Sequence, residues 1–231
     1  MLTDSLSLPA SVDRVIRSRR TTRAFRPDEV SHDQLVEVFE IARTAPSTFN
    51  TQPWHMHVLI GEAKNALSDA LVQAHTANSE PPYAVMPNPA PEGCASRQDD
   101  FGRRYYAALG IDRADMAARS RQTARNFVFF DAPVGIIFTI DASLTKHSWL
   151  DYGIYLQTLM IAAQARGLAT CPQVSFVRYQ SVISKQLGLA ENEVVVCGMS
   201  LGYPDKEAEL NNMEMPRESL ENFTKWYGTA E

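Results

Sequence analysis

Arg19-Arg20-Thr21-Thr22-Arg23-Ala24-Phe25 and, further on, Ala45-Pro46-Ser47-Thr48-Phe49-Asn50-Thr51-Gln52-Pro53-Trp54 are the stretches from which the rest of the chain can be read. In the first, arginines surround hydroxyl residues. Guanidinium forks donate paired, charge-assisted hydrogen bonds to phosphate oxygens, and a threonine hydroxyl adds a short one, so the run suits a terminal phosphate. In the second, a proline-led turn carries Ser47, Thr48, Asn50 and Gln52. Their hydroxyl and amide groups both donate and accept, as the edge of a planar heterocycle demands. A phosphate clamp followed by a polar platform for a ring points to a flavin site.

The surrounding composition agrees. Arg14, Arg17, Arg19, Arg20, Arg23 and Arg26 crowd one region of a chain whose formal charge is −5. Nucleic-acid backbones and anionic membrane surfaces require a broad basic face, which argues against a general binder of either, whereas a local cluster suits a small phosphorylated ligand. Taken alone, the cluster also reads as a solvated helix face with internally paired arginines. At 231 residues and 45% hydrophobic side chains, the chain can bury a core as one domain. Cys94, Cys171 and Cys197 are odd in number and far apart, with no Cys-x-x-Cys spacing, which fits a reducing compartment. Met1-Leu2-Thr3-Asp4-Ser5 lacks the blocks of a signal peptide. No apolar run approaches the roughly 20 residues that span a bilayer. A soluble cytoplasmic protein is expected.

Periodicity supplies the elements. Val12 to Ser18 reads as a short helix and Ser31 to Ala45 as a second, with Ser31 as N-cap, Leu35, Val38, Phe39 and Ala42 on one stripe, and Pro46 as the stop. Trp54 to Ile60 alternates as a strand, and Glu62 to Ala74 returns to helical spacing. A proline-rich stretch from Thr76 to about Gly93 is too long for a plain connector. Helices are expected over Ala95 to Leu109 and Arg113 to Phe130, broken at Gly110-Ile111-Asp112. Pro133 to Ile140 is an apolar strand of the kind covered on both faces. Asp151 to Arg166, apolar nearly all round, reads as a central buried helix that also meets a subunit interface. Thr170 to Phe176 reads as strand or loop, Tyr179 to Leu187 as a helix ending at Gly188, and Glu193 to Leu201 as another buried strand. Without strict βαβ alternation or a Gly-x-Gly-x-x-Gly turn, the class is α+β.

The two opening stretches resemble the signature of the FMN-dependent nitroreductase family, an Arg-x-Ser/Thr-x-Arg/Lys-x-Phe run followed by Pro-Ser-x-x-Asn-x-Gln-Pro-Trp. The likeness continues through Cys171-Pro172-Gln173 and Gly198-Met199-Ser200-Leu201-Gly202-Tyr203-Pro204 to Pro216-Arg217, and the middle segment is most similar to the nitrobenzoate reductase branch. This resemblance implies a nitroreductase-like fold, with a central mixed sheet flanked by helices, in an intertwined homodimer holding FMN at the interface. It implies a single domain over 1–231, with a substrate-covering insertion at about 76–125 and a C-terminal extension at about 205–231 that embraces the other subunit. The implied activity is reduction of nitroaromatic compounds, nitro to nitroso to hydroxylamine, by NADPH or NADH in a ping-pong mechanism. Flavin N5 carries that chemistry, with no catalytic side chain and solvent supplying protons.

By the same resemblance Arg19 binds the FMN phosphate, Thr21 takes the hydroxyl position, and Arg23 faces the flavin ring. Arg20 stands where some relatives carry histidine. Pro46, Ser47 and Thr48 match the turn that reaches a flavin from the neighbouring subunit, with Asn50 and Gln52 as amides near the cofactor or beneath it. Pro172, Gln173, Val174 and Ser175 match the segment against the flavin's reactive face, where a main-chain N–H of Val174 or Ser175 bonds N5. Arg217 matches a C-terminal phosphate-binding arginine, but Met215 occupies a position that is often basic.

In the insertion, Tyr83, Met86, Phe101, Tyr105 and Tyr106 are candidates to sandwich a nitroaromatic ring, and Arg103, Arg104, Arg119, Arg121 or Arg125 to engage a ring carboxylate or phosphates. Packing of the insertion on the core is the plainer alternative for these aromatics. Pro53-Trp54 reads as a turn end and a core anchor, and Cys171 as a packing residue rather than a nucleophile. His55-x-His57 lacks a third ligand in any recognisable pattern, so no metal is expected. A flavin-dependent dehydrogenase or dehalogenase on the same scaffold, a non-catalytic flavin-binding protein and a phosphate-binding module remain as alternatives.

Overall fold

A computed structural model describes residues 7–228. The signal-peptide reading of Met1 to Ser5 and the end of the C-terminal extension, 229–231, lie outside the described residues. Along the chain run α1 (Leu8–Ser18), α2 (His32–Ala42), β1 (His55–Ile60), α3 (Gly61–Ala77), α4 (Glu92–Ala108), α5 (Met116–Ala124), β2 (Val134–Asp141), α6 (Lys146–Ala165), β3 (Ala169–Gln173), α7 (Gln180–Leu187), β4 (Glu193–Gly202) and α8 (Glu209–Asn212).

Local chemistry sets several of these limits. Ser31 Oγ accepts from the Gln34 backbone N–H at 3.3 Å, and Gln34 Oε1 accepts from the Ser31 N–H at 3.2 Å, a capping box that opens α2. That helix stops at Ala42, earlier than its pattern implies, because Thr44 and Ala45 turn back to bond the Ile41 and Ala42 carbonyls. Pro9, in the first turn of α1, has no N–H to leave unpaired, and the helix begins at Leu8 rather than Val12. Gly188 closes α7 with φ of 66°. The helix expected over Arg113 to Phe130 covers only Met116–Ala124. Beyond it the chain turns through positive φ at Phe129, Phe130 and Asp131, which drops Phe127, Phe129 and Phe130 into the core.

The sheet order is β1-β2-β4-β3. The resemblance implies a mixed sheet, but the ladders between the four strands are all antiparallel. Parallel pairing enters through an isolated bridge, Thr21 to Thr170. Strand β2 is buried along seven of its eight residues because helices cover both faces. Val134, Ile136, Phe138 and Ile140 face α2 and α6, whereas Ile137 joins Leu59 of β1, Leu67 and Leu71 of α3 and Ile183 of α7. The continuous apolar run thus reflects a three-layer arrangement rather than parallel pairing. Trp54 stacks on Tyr155 at 4.6 Å, anchoring the entry to β1 as its sequence implies. Past Met56 the helical cover runs out, and Val58 and Ile60 stand open on that face.

Helix α6 departs from its expected all-round burial. Asp151, Tyr152, Tyr155, Leu159, Ala162 and Ala163 are buried, but Trp149, Leu150 and Ile154 are exposed. The arginine run is drawn across the end of the sheet by backbone bonds. Thr22 N–H donates to Thr170 O at 3.0 Å, Arg26 N–H to Tyr203 O at 2.9 Å, and Asp205 N–H to Ala24 O at 3.0 Å. The run is therefore fixed between the start of β3 and the exit of β4.

Candidate active site

At the end of α1, a cavity of about 940 Å³ opens between the arginine run, α4, α6, β3 and the segment after α8. Its lining includes Arg17, Arg19, Arg20, Thr21, Arg23 and Arg217, with Pro172 and Phe101 on its walls. Five arginines face it against one carboxylate, Glu214. Arg20 reaches Glu214 at 3.5 Å, in an exposed pair that solvent weakens. Burial lowers the pKa of Arg19, and the nearby Arg217 guanidinium lowers it further. Arg217 Nη1 donates to the carbonyls of Met215 and Pro216 at 3.0 and 3.2 Å, which orients the guanidinium and leaves its other nitrogens free to donate. Two cations from opposite ends of the chain thus face the same cavity, and the charge of Arg217 disfavours that of Arg19.

Arg23 is placed differently. Its guanidinium lies over Phe101 at 5.5 Å and Tyr105 at 5.2 Å from the ring centres. Its backbone N–H donates to Asn211 Oδ1 at 2.8 Å, while Asn211 Nδ2 donates to the carbonyls of Ala24 and Asp205, each at 2.8 Å. Asn211 therefore ties the arginine run to the C-terminal segment. It escaped the sequence reading because a single asparagine in a tail carries no local signal.

The turn from Pro46 to Gln52 does not line this cavity. It stands out from the chain, with Phe49 96% exposed. Phe49, Asn50 and Gln52 have φ of 51°, 57° and 46°, a region that costs phenylalanine and glutamine about 1 kcal/mol or more each. The turn is held from below. Buried Asp151 of α6 accepts from the Thr48 backbone N–H at 3.0 Å and from Thr48 Oγ1 at 3.2 Å, and Ser47 Oγ accepts from the Gln52 N–H at 3.0 Å. Asp151 is a second residue that sequence reasoning missed; an acid within an apolar helix was its one available sign.

Other expected contacts are redirected. The Gln173 side chain is buried, donating to Asn126 O at 2.8 Å and accepting from Ser200 Oγ at 2.8 Å, so it braces β3 to β4 and leaves any ligand contact of this segment to its backbone. Val174 is exposed and the Ser175 hydroxyl is buried without a partner, both in the 3₁₀ turn that continues from Pro172. Of the expected substrate residues, Phe101 alone lines the cavity. Tyr105 stacks behind it at 5.4 Å, and its hydroxyl accepts from Gln122 Nε2 at 2.8 Å. Burial raises the Tyr105 pKa, against the hydrogen bond from Gln122 and the pull of Arg23. Tyr83 and Met86 sit in the proline-rich segment away from the cavity, and Arg121 is exposed on α5. Arg125 is ion-paired with Asp131 at 2.8 Å, which occupies its charge. Burial pushes the Cys171 thiol up to about 11, consistent with packing rather than nucleophilic chemistry. His57 pairs with Glu193 at 2.8 Å rather than with His55.

Comparison with known proteins agrees with this geometry. Residues 16–203 match the family model described as the Nitroreductase family. Over 94% of this chain and 95% of the relative, the sequence is 50% identical to a 4-nitrobenzoate reductase from Pseudomonas putida. It is 41% identical to a nitrobenzene nitroreductase from Ectopseudomonas oleovorans, over 92% of this chain and 95% of that protein. The crystal structure of the FMN-dependent nitroreductase NfnB from Mycobacterium smegmatis, in complex with NADPH, superposes with a TM-score of 0.91 at 37% identity, covering 96% of this chain and all of the other.

Proposed function

The chain belongs to the Nitroreductase family, and from that premise we propose that it reduces nitroaromatic compounds with electrons drawn from NADPH or NADH through bound FMN. The observation that carries this reading is the convergence of Arg19 and Arg217, with Thr21 beside them, on a cavity of about 940 Å³ with a single carboxylate in its lining. Such a donor set fits a terminal phosphate, and the volume lies within the range of small-molecule and cofactor sites. FMN, when bound, supplies the two-electron relay between nicotinamide donor and nitro acceptor.

The protein's own groups bind and orient. Arg19, Arg217 and the Thr21 hydroxyl hold the phosphate, and Arg20 adds donors that Glu214 does not use. Arg23, fixed by Asn211 and by its two aromatic neighbours, sets a cation where negative charge develops as electrons enter. Pro172 and Phe101 form walls against which planar rings stack, the nicotinamide and then the nitroarene in turn. Solvent supplies the protons. The product series runs from nitro through nitroso to hydroxylamine.

A second copy of the chain completes the site. The turn from Pro46 to Gln52, exposed, strained and absent from the lining of its own chain's cavity, supports this reading as the segment that reaches a neighbour's cavity. Exposed Leu8, Val12, Trp149, Leu150, Phe223 and Trp226 offer apolar surface for the pairing. We further read the chain as one domain in which the insertion at about 76–125 and the extension at about 205–231 cover the cavity. Its three free cysteines, two of them buried, favour a reducing, cytoplasmic setting.

Visible spectra of the purified protein under anaerobic conditions test the proposal. The flavin band should bleach with NADPH or NADH and return after 4-nitrobenzoate is added. Bleaching without recovery removes this acceptor, and failure to retain added FMN overturns the reading.

A further inference from the structure

A second cavity, of about 660 Å³, lies in the insertion between α4, the turn at 110–113 and the start of α5. Successive helical residues are about 100° apart, so Gly102 and Tyr106 project well away from Phe101, the α4 residue that lines the arginine cavity. Gly102 sits in the interior of α4, where glycine is the least favoured residue apart from proline. A Cβ there would meet nothing within 4 Å, so no close packing accounts for the glycine. Its effect is to leave the cavity floor open.

The walls are chemically specific. Arg119 holds its guanidinium 4.5 Å from the centre of the Tyr106 ring, and its Nη1 donates to Arg113 O at 3.2 Å and, weakly, to Met116 Sδ at 3.9 Å. The other two arginines of the lining each have a carboxylate within ion-pair distance, Arg113 with Asp99 at 3.4 Å and Arg103 with Asp100, which Arg104 shares. Asp112 accepts from the Ala114 N–H at 2.7 Å, which turns its carboxylate into the connecting turn. Arg119 has no carboxylate partner among the described residues. A guanidinium has five N–H donors, so most of its capacity remains available.

We propose that this cavity is a second binding site, specific for small aromatic carboxylates: the ring lies over Gly102 beside Tyr106, and the carboxylate pairs with Arg119. Occupancy would load the outer face of the helix whose inner face bears Phe101, so the site is placed to bias how α4 covers the arginine cavity. The assignment does not depend on what fills the arginine cavity.

Fluorine NMR of the FMN-loaded protein titrated with 4-fluorobenzoate tests it, with the visible flavin spectrum of each sample reading the arginine cavity separately. Leucine favours helix more than glycine does and fills the open floor, so Gly102→Leu should fold while blocking the site. The expected result is a bound resonance that Gly102→Leu abolishes, that Arg119→Gln weakens by about tenfold, and that 4-fluorotoluene does not produce. Survival of every bound signal in Gly102→Leu, or equal binding of 4-fluorotoluene, overturns the proposal.

Discussion

Replacing Arg217 by glutamine should move ligand affinity and apoprotein stability in different directions. Arg217 is exposed, and its charge lowers the pKa of Arg19, so in the free protein it acts as a like-charge neighbour. Removing it relieves that repulsion, and the melting temperature of the apoprotein should stay level or rise. With phosphate bound, the same residue contributes a charge-assisted hydrogen bond of roughly 1.5–3 kcal/mol. At 1.4 kcal/mol per decade, that corresponds to a Kd increase of roughly 10- to 150-fold. Exposure and salt screening place the expected value toward the lower end, about 10- to 30-fold. FMN binding is read by quenching of flavin fluorescence at low salt in phosphate-free buffer, and apoprotein stability by thermal melting in the same buffer. Arg217→Lys retains the charge but loses the bidentate fork, and should fall between wild type and Arg217→Gln. An unchanged FMN Kd would refute the clamp. A melting temperature that falls in step with affinity would show that Arg217 braces the fold instead.

Three further outcomes follow from buried groups. Asp151→Ala leaves the Thr48 backbone N–H without its acceptor and should cost about 1–3 kcal/mol in urea unfolding, with Asp151→Asn recovering part of the loss; a wild-type melt for the alanine variant contradicts the anchoring role. Burial pushes the thiols of Cys171 and Cys197 up to about 11 and about 12, so near neutral pH the folded protein should take one equivalent of iodoacetamide, at Cys94, and three once unfolded. Because the folded state keeps these two protons longer than the unfolded chain does, their contribution is complete below the ordinary thiol value of 9.0 and is lost as pH rises toward 11 and 12. Unfolding free energy that stays flat across that alkaline range would contradict this assignment.

The elements that could be read in advance are those decided within a few residues. Ser31 and Gln34 announce the start of α2 because a capping box closes over one turn. Gly188 announces the end of α7 because a left-handed cap needs no partner elsewhere. The apolar run of β2 signals burial on both faces, but it does not distinguish parallel from antiparallel neighbours, and the sheet proved antiparallel. The break after Ala124 was hidden because helical spacing continues into Phe127, Phe129 and Phe130, whose burial against the core outweighs the local preference.

At the site, sequence alone determined the donor set: closely spaced arginines and threonines offer forked and hydroxyl donors suited to an anion, although the same cluster taken by itself also suits a solvated, internally paired helix face. The tertiary structure decided which groups share one space. Arg217 joins Arg19 across nearly the whole chain, Asn211 ties Arg23 to the C-terminal segment, and Asp151 holds an exposed turn that does not line the cavity. The side chain of Gln173 is taken up between Asn126 and Ser200, so only the backbone of its segment is left to meet a ligand. An amide or a guanidinium has the same donors wherever it stands in a sequence. Whether those donors meet a ligand or another side chain depends on which distant segments the core brings beside them, and that is set by the packing of the three layers.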